Sequence, residues 1–317
     1  MIPCIRFRAT AALALGLALM AAPAEALQLK VRFGGRPMPR DASQPVDLEL
    51  TVTDDEGGVP SVLLPHHEKT MHLVAVPEDL SEMVHIHPVD LGKGRFKLPI
   101  RDKRHQDDRD NSQAVAAFAR PGRWWVFAEV SDFPDQTVLL QEAIVVPGRP
   151  KIRPMPEPLA WAGDVATTSI ALGQADATAT WTRNRRPDGA LLLTCRMTDA
   201  SGEEIGGFLP WLGMTAHGVL VGKGPDGPIF RHLHPEGGMI HGPGGHGGMN
   251  HGAMTMDHGA HHGAHHGGHH DAPVQTYPGK WTFVLGADDA VPGGVYRFWL
   301  QTRVEDGVRS LPFTLKL

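Results

Sequence analysis

The chain is poor in cysteine, in tyrosine and in charge of one sign. Of 317 residues two are cysteine and two are tyrosine, and aromatics make up 6%. Cys4 lies in an amino-terminal leader, so Cys195 would be the one cysteine of a processed chain. An internal disulfide and a multi-thiolate zinc site are thereby excluded. Cys195 sits in the strand-like run LLLTCRMT and reads as a buried small thiol. Thirty basic residues face 35 acidic ones, which leaves no footprint for nucleic acid or an anionic membrane surface. Sustained helical periodicity is missing, and beyond residue 26 no apolar run is long enough to span a bilayer.

Residues 1–26 read as a secretory signal. Arg6 and Arg8 give a positive start, Ala9 to Ala22 an apolar core, and Ala24-Glu25-Ala26 a cleavage signature. Cleavage after Ala26 removes two arginines and one glutamate, taking the net charge from −5 to −6. The mature chain is expected to be soluble and periplasmic or secreted.

Histidine is what the chain has in excess, and its placement repeats. TMHLVAVPEDLSEMVHIHP, from Thr70 to Pro88, has a second copy in TAHGVLVGKGPDGPIFRHLHP, from Thr215 to Pro235. Each copy has one histidine, an apolar run, a turn and a closing His-x-His-Pro, the pattern of a β-hairpin. Centring the first hairpin between Asp79 and Leu80 sets His72 opposite His87. Centring the second between Pro225 and Asp226, which suit a type I turn, sets His217 opposite His234. Residues two apart share a strand face at about 6.5–7 Å, so His85 and His232 join the same faces. A lone His-x-His on a strand is often just two half-exposed polar residues. A third histidine opposite, and repetition of the whole, favours metal ligation by His72, His85 and His87 and by His217, His232 and His234. Met83 shares the strand face of His85 and His87 and reads as a packed side chain, as does Met214.

The surrounding pattern is all-β, with strands expected at 29–33, 46–53, 94–100, 114–120, 123–130, 137–146, 165–172, 177–183, 190–198 and 205–209. The fold class implied is two tandem antiparallel β-sandwich domains, 27–147 and 161–317. PGRPKIRPMPEP, residues 147–158, marks a proline-rich linker between them, assigned to 148–160. Leu64-Pro65 stands to His72 as Leu209-Pro210 stands to His217, and Gly94-Arg95-Phe96 matches Gly279-Lys280-Trp281. Pro121 to Val146 lies on Pro292 to Leu317 without a gap, placing Trp125 on Tyr296 and Phe127 on Phe298 as core aromatics. Duplication of one module accounts for this spacing.

Between Pro235 and Gly279 the second module carries a long insertion, 236–278, rich in histidine, methionine and glycine and expected to be disordered without a ligand. Ten of the nineteen histidines lie in it: His241, His246, His251, His258, His261, His262, His265, His266, His269 and His270. Met239, Met249, Met254 and Met256 are interleaved. Imidazole suits copper, nickel and zinc, and thioether adds preference for Cu(I). A loop with both ligands and no thiol suits copper cycling between Cu(II) and Cu(I), with zinc and nickel as alternatives. Uptake by this loop should weaken as pH falls through about 6.5, where free imidazole protonates.

KTMHLVAVPEDLSEMVHIHP, followed by a G-x-F strand and PGRWWVFAEV, resembles the YtkA-like modules of bacterial exported proteins. The resemblance covers most of 45–146 and, more loosely, 205–317. It implies immunoglobulin-like sandwiches, an association with copper handling, and ligand roles for His72, His85 and His87, extended by the repeat to His217, His232 and His234. The second copy departs from the pattern at Ala216-His217-Gly218. VHIHP is also similar to the His-x-His strand of Cu/Zn superoxide dismutase, whose disulfide and zinc loop this chain lacks.

The reading is a periplasmic copper-binding protein that buffers, carries or delivers metal, partnered by the ion and by another periplasmic or membrane copper-handling protein. No catalytic acid or base is placed by spacing, so an enzyme is not expected. The alternatives are a copper redox enzyme and a non-metal interaction module.

Overall fold

In a computed structural model of the chain, residues 27–33, 48–59, 63–98, 118, 120–133, 136–173, 175–240, 275–289 and 293–317 are described. All their regular structure is β, in four antiparallel sheets. The first module pairs β1 (Gln28–Phe33), β2 (Leu48–Thr53), β6 (Arg95–Lys97) and β5 (Val89–Asp90) in one sheet. Its second sheet has the order β4 (Val84–Ile86), β3 (Met71–Pro77), β7 (Gly122–Phe133), β8 (Gln136–Val146). The second module repeats this with β14 (Lys280–Leu285), β11 (Leu191–Thr198), β10 (Ala175–Arg185) and β9 (Val165–Leu172). Its other sheet is ordered β13 (Pro228–Leu233), β12 (His217–Lys223), β15 (Val295–Val304), β16 (Gly307–Lys316). The all-β expectation of two sandwiches is met.

Each sandwich has its own apolar core, one around Leu50, Leu73, Phe96 and Trp124, the other around Trp181, Phe283, Phe298 and Leu315. A third core lies between the two modules. Val74, Val76, Leu80, Met83 and Phe127 of the first meet Val219, Val221, Phe230 and Trp299 of the second. The molecule is therefore four sheets deep, with the β3 and β12 sheets face to face in the middle. Strand alternation produces this directly: along β3, Leu73 and Ala75 point into their own sandwich while Val74 and Val76 point at the other module. Every residue of β3 is consequently buried, as expected of a strand covered on both faces.

Both hairpin registers are those expected from their turns. Val74 pairs with His85 and Val219 with His232, which carries His72 opposite His87 and His217 opposite His234. Gly224 donates to Gly227 across Pro225-Asp226 at 2.8 Å. The gapless match of 121–146 with 292–317 requires correction by one residue over its first strand. Glu129 lies opposite His72 and Gln301 opposite His217, so Glu129, not Val130, corresponds to Gln301. A bulge between Val130 and Phe133 lengthens the first module's hairpin by that residue. Since a one-residue slip exchanges sheet faces, Phe127 corresponds to Trp299 and packs between the modules, whereas Phe298 fills a sandwich core. The strand expected at 205–209 is reduced to isolated bridges of Phe208 with Tyr277 and Leu209 with Arg303. The described part of 114–120 is a turn in which Phe118 has φ 62°.

The departure at Gly218 has a packing reason. A Cβ there would lie 2.7 Å from Phe298 and 3.0 Å from Phe283. In the first module Leu73, Val126 and Leu98 hold the corresponding places, so large and small residues have been exchanged at constant filling.

Candidate metal centre

The histidines point into the contact between the modules. His72 leaves β3 and His85 leaves β4 on the face that looks at the second module, and His87 follows two residues on. His217 at the start of β12, His232 on β13 and His234 just beyond it look back. Within each trio one nitrogen per ring can be chosen so that the three lie within 4.8 Å of one another. Ring centroids stand 4.8–5.6 Å apart in the first trio and 4.8–5.4 Å apart in the second.

Outer hydrogen bonds fix which nitrogen faces inward. His72 Nε2 donates to the backbone carbonyl of His66 at 2.9 Å, and His85 Nδ1 donates to Gln301 Oε1 at 2.7 Å. Both acceptors are carbonyl oxygens, so each neutral ring has its proton on the outer nitrogen. His72 Nδ1 and His85 Nε2 are then the inward nitrogens, 3.3 Å apart. Two imidazole ligands at about 2.0–2.1 Å on a tetrahedral ion would be separated by about 3.3–3.4 Å. In the second trio His232 Nδ1 donates to Glu129 Oε2 at 2.5 Å and leaves His232 Nε2 buried without a partner. Both ring nitrogens of His87 and of His217, and His234 Nε2, are likewise buried without one. Buried polar atoms in native proteins are nearly always satisfied, and a cation between them is a partner that lone pairs accept.

Burial and like neighbours keep His72, His85, His87, His217 and His234 neutral, the form in which imidazole binds metal. Burial first, then neighbouring histidines, push His72 and His217 well below the ordinary imidazole value, His85 to about 3 and His87 to about 2. Burial works against ionisation of Glu129, but His232 at its side outweighs this and holds the carboxyl below its usual range.

Five further residues complete the surroundings. Glu129 and Gln301, the residues opposite His72 and His217, each reach across to the other module's His-x-His strand. His66 and His67 occupy a tight turn, with His66 and Lys69 exchanging backbone hydrogen bonds and φ of 47° at His67 and 68° at Glu68. That turn brings the His67 ring to 4.2 Å from His234 and 6.4 Å from His217. The second module has the same turn, Trp211 to Met214, with φ of 50° at Leu212 and 71° at Gly213. Trp211 there packs on His217 at 4.7 Å and His85 at 5.6 Å. The sequence carried one usable sign of this: Leu64-Pro65 matches Leu209-Pro210, so the two turns that follow had to sit alike.

The insertion histidines His241, His246, His251, His258, His261, His262, His265, His266, His269 and His270, with Met249, Met254 and Met256, lie outside the described residues. Its root does not: Ile240 donates to Gly213 at 2.8 Å and Met239 bridges Met214, so the segment departs beside the Trp211 turn. Met83 and Met214 are buried, Met83 in the core between the modules. Cys195 is buried in the second sandwich, and burial pushes its thiol well up, as an inert core residue.

Residues 24–146, the first module, match the family model DUF8832, described as a domain of unknown function. No curated protein matches the sequence. Among solved structures, Escherichia coli alpha-2-macroglobulin in its native conformation aligns with 93% of this chain at 14% identity and a TM-score of 0.22. S. aureus TarS aligns with 64% at 12% identity and 0.19. The chain spans 14% and 33% of the lengths of those two proteins.

Proposed function

We propose that this is an exported copper-binding protein that buffers, carries or delivers the ion, with its ordered site between the modules. One observation carries the reading. Each trio offers three imidazole nitrogens within 4.8 Å of one another, and in the first trio His72 Nδ1 lies 3.3 Å from His85 Nε2, a spacing that one cation between the rings would bridge. All-imidazole ligation suits copper, zinc and nickel alike. The methionines of 236–278, the secretory leader and the resemblance to YtkA-like modules favour copper outside the cytoplasm. The insertion begins at the rim of the site, where ions held by its side chains would be at high effective concentration.

Metal content and competition titrations on the purified mature protein test this. A chain lacking 241–270 should retain tight copper binding, and His72→Ala/His85→Ala/His87→Ala should lose it. Tight binding that disappears only with the insertion would leave the hairpin histidines with a structural role.

A further inference from the structure

We infer that the two histidine trios form one dinuclear centre across the contact between the modules, with His67 as an additional imidazole on the second module's ion. This rests on the metal-binding reading above and specifies it. Two separations between the trios fall within the range found inside them. The His232 ring lies 5.2 Å from His85 and 5.5 Å from His72, and His85 lies 6.3 Å from His217. Six imidazoles thus make one cluster in which His85 and His232 are the shared middle. An ion in each trio would have the other as its neighbour.

The outer hydrogen bonds point the same way because they cross between modules reciprocally. The second module's Gln301 orients His85 of the first, and the first module's Glu129 orients His232 of the second. Neither trio has its tautomers set by its own module alone, so neither is a finished site without the other. The two ions would be unlike. The second trio has the carboxylate of Glu129 behind it and His67 beside His234. The first is backed by a neutral amide, and the Trp211 indole lies against both trios, 4.7 Å from His217, 5.6 Å from His85 and 6.2 Å from His87. Charge also constrains the centre. Two divalent ions repel about four times as strongly as two monovalent ones at the same separation, and Glu129 sets a carboxylate against this cluster. Two Cu(I) ions fit directly, whereas two Cu(II) ions call for an anion such as hydroxide bridging them.

Copper(II) loading of the full chain, with the ten insertion histidines replaced by serine, tests this through electron paramagnetic resonance. At two equivalents the signal should integrate to well under the total copper, through coupling of the pair. His87→Ala or His234→Ala should bind one equivalent and recover the full mononuclear signal. X-ray absorption on the two-copper form should show a metal–metal vector at about 3.5–4 Å, a readout that requires no substitution in the trios. His67→Ala should weaken the second equivalent about tenfold and leave the coupling in place. Two bound ions with a full mononuclear signal and no metal–metal vector would overturn the dinuclear centre and leave the copper-binding reading standing. No tightly bound ion would overturn both.

Discussion

The turn at His66-His67 and the turn at Trp211-Leu212 have the same backbone and cover the same histidine cluster from opposite modules, yet they bring different chemistry to it. One offers two half-buried imidazoles beside His234; the other seats a buried indole against His217 and His85. The neighbouring pair of Glu129 and Gln301 differs in the same sense, charged in one module and neutral in the other. A duplicated scaffold has kept six rings in register while the residues that back and cover them have diverged into a polar side and an apolar side. The six ring positions share one geometry. The covering positions touch the cluster from one module each and are free to differ.

Replacing both turns tests that contrast most severely. Trp211→Ala removes a side chain only 5% exposed and should cost about 3–5 kcal/mol of stability. His67→Ala, half-exposed, should stay within about 0.5 kcal/mol. Urea unfolding of the metal-free variants measures both, and equal losses would erase the distinction between the turns.

Acid comes next. A ring whose folded pKa is depressed stays neutral while the unfolded chain takes up its proton. Stability is therefore full above about pH 6.5 and declines as pH falls toward the folded values, such as about 3 for His85. Each such ring contributes up to about 1.4 kcal/mol per pH unit. The melting temperature of the metal-free protein should drop between pH 6.5 and 5, and His85→Leu should flatten that slope. A pH-independent melting temperature would show that the rings are not held neutral.

Exchanging the backing residues gives a smaller effect. Glu129→Gln should weaken copper binding about 10–100-fold through loss of the anion behind His232, with Gln301→Glu strengthening the first trio in compensation. Competition titration of each variant and of the double exchange would show whether the carboxylate can be moved.

The smallest effect belongs to the hairpin tips. Asp79 accepts from Arg120 at 2.9 Å and from the linker amide of Arg153 at 2.8 Å. Burial opposes its ionisation, but those bonds prevail and hold its carboxyl at about 2. This stabilisation is present above about pH 3.8 and is lost as pH falls toward 2. Asp79→Asn should cost about 1 kcal/mol. Asp226→Asn, at the exposed tip of the other hairpin, should be silent in the same thermal melts.

The hairpins and their trios could be read from residue order because antiparallel pairing about a turn fixes register, and register fixes which side chains share a face. The stacking of the modules was harder to read. Alternation says that His72 and Val74 share a face, but not what covers it. The clue was the unbroken apolar run LVAV, since a strand with one wet face would alternate. Glu129 and Gln301 were hidden by the single extra residue in one hairpin, which turns the wrong face of β7 toward the histidines in any gapless comparison. His66 and His67 were hidden because a contact between modules joins residues with no spacing rule to connect them.

The crossed bonds of Gln301 to His85 and Glu129 to His232 have a consequence for how such a protein arises. A solitary module of this design would display an incomplete set of rings with no amide or carboxylate to orient them, and a second copy would have to lend its own. Fusion of two copies makes that encounter intramolecular and permanent. It also frees each half to mutate alone, which a symmetric pair of identical chains cannot do.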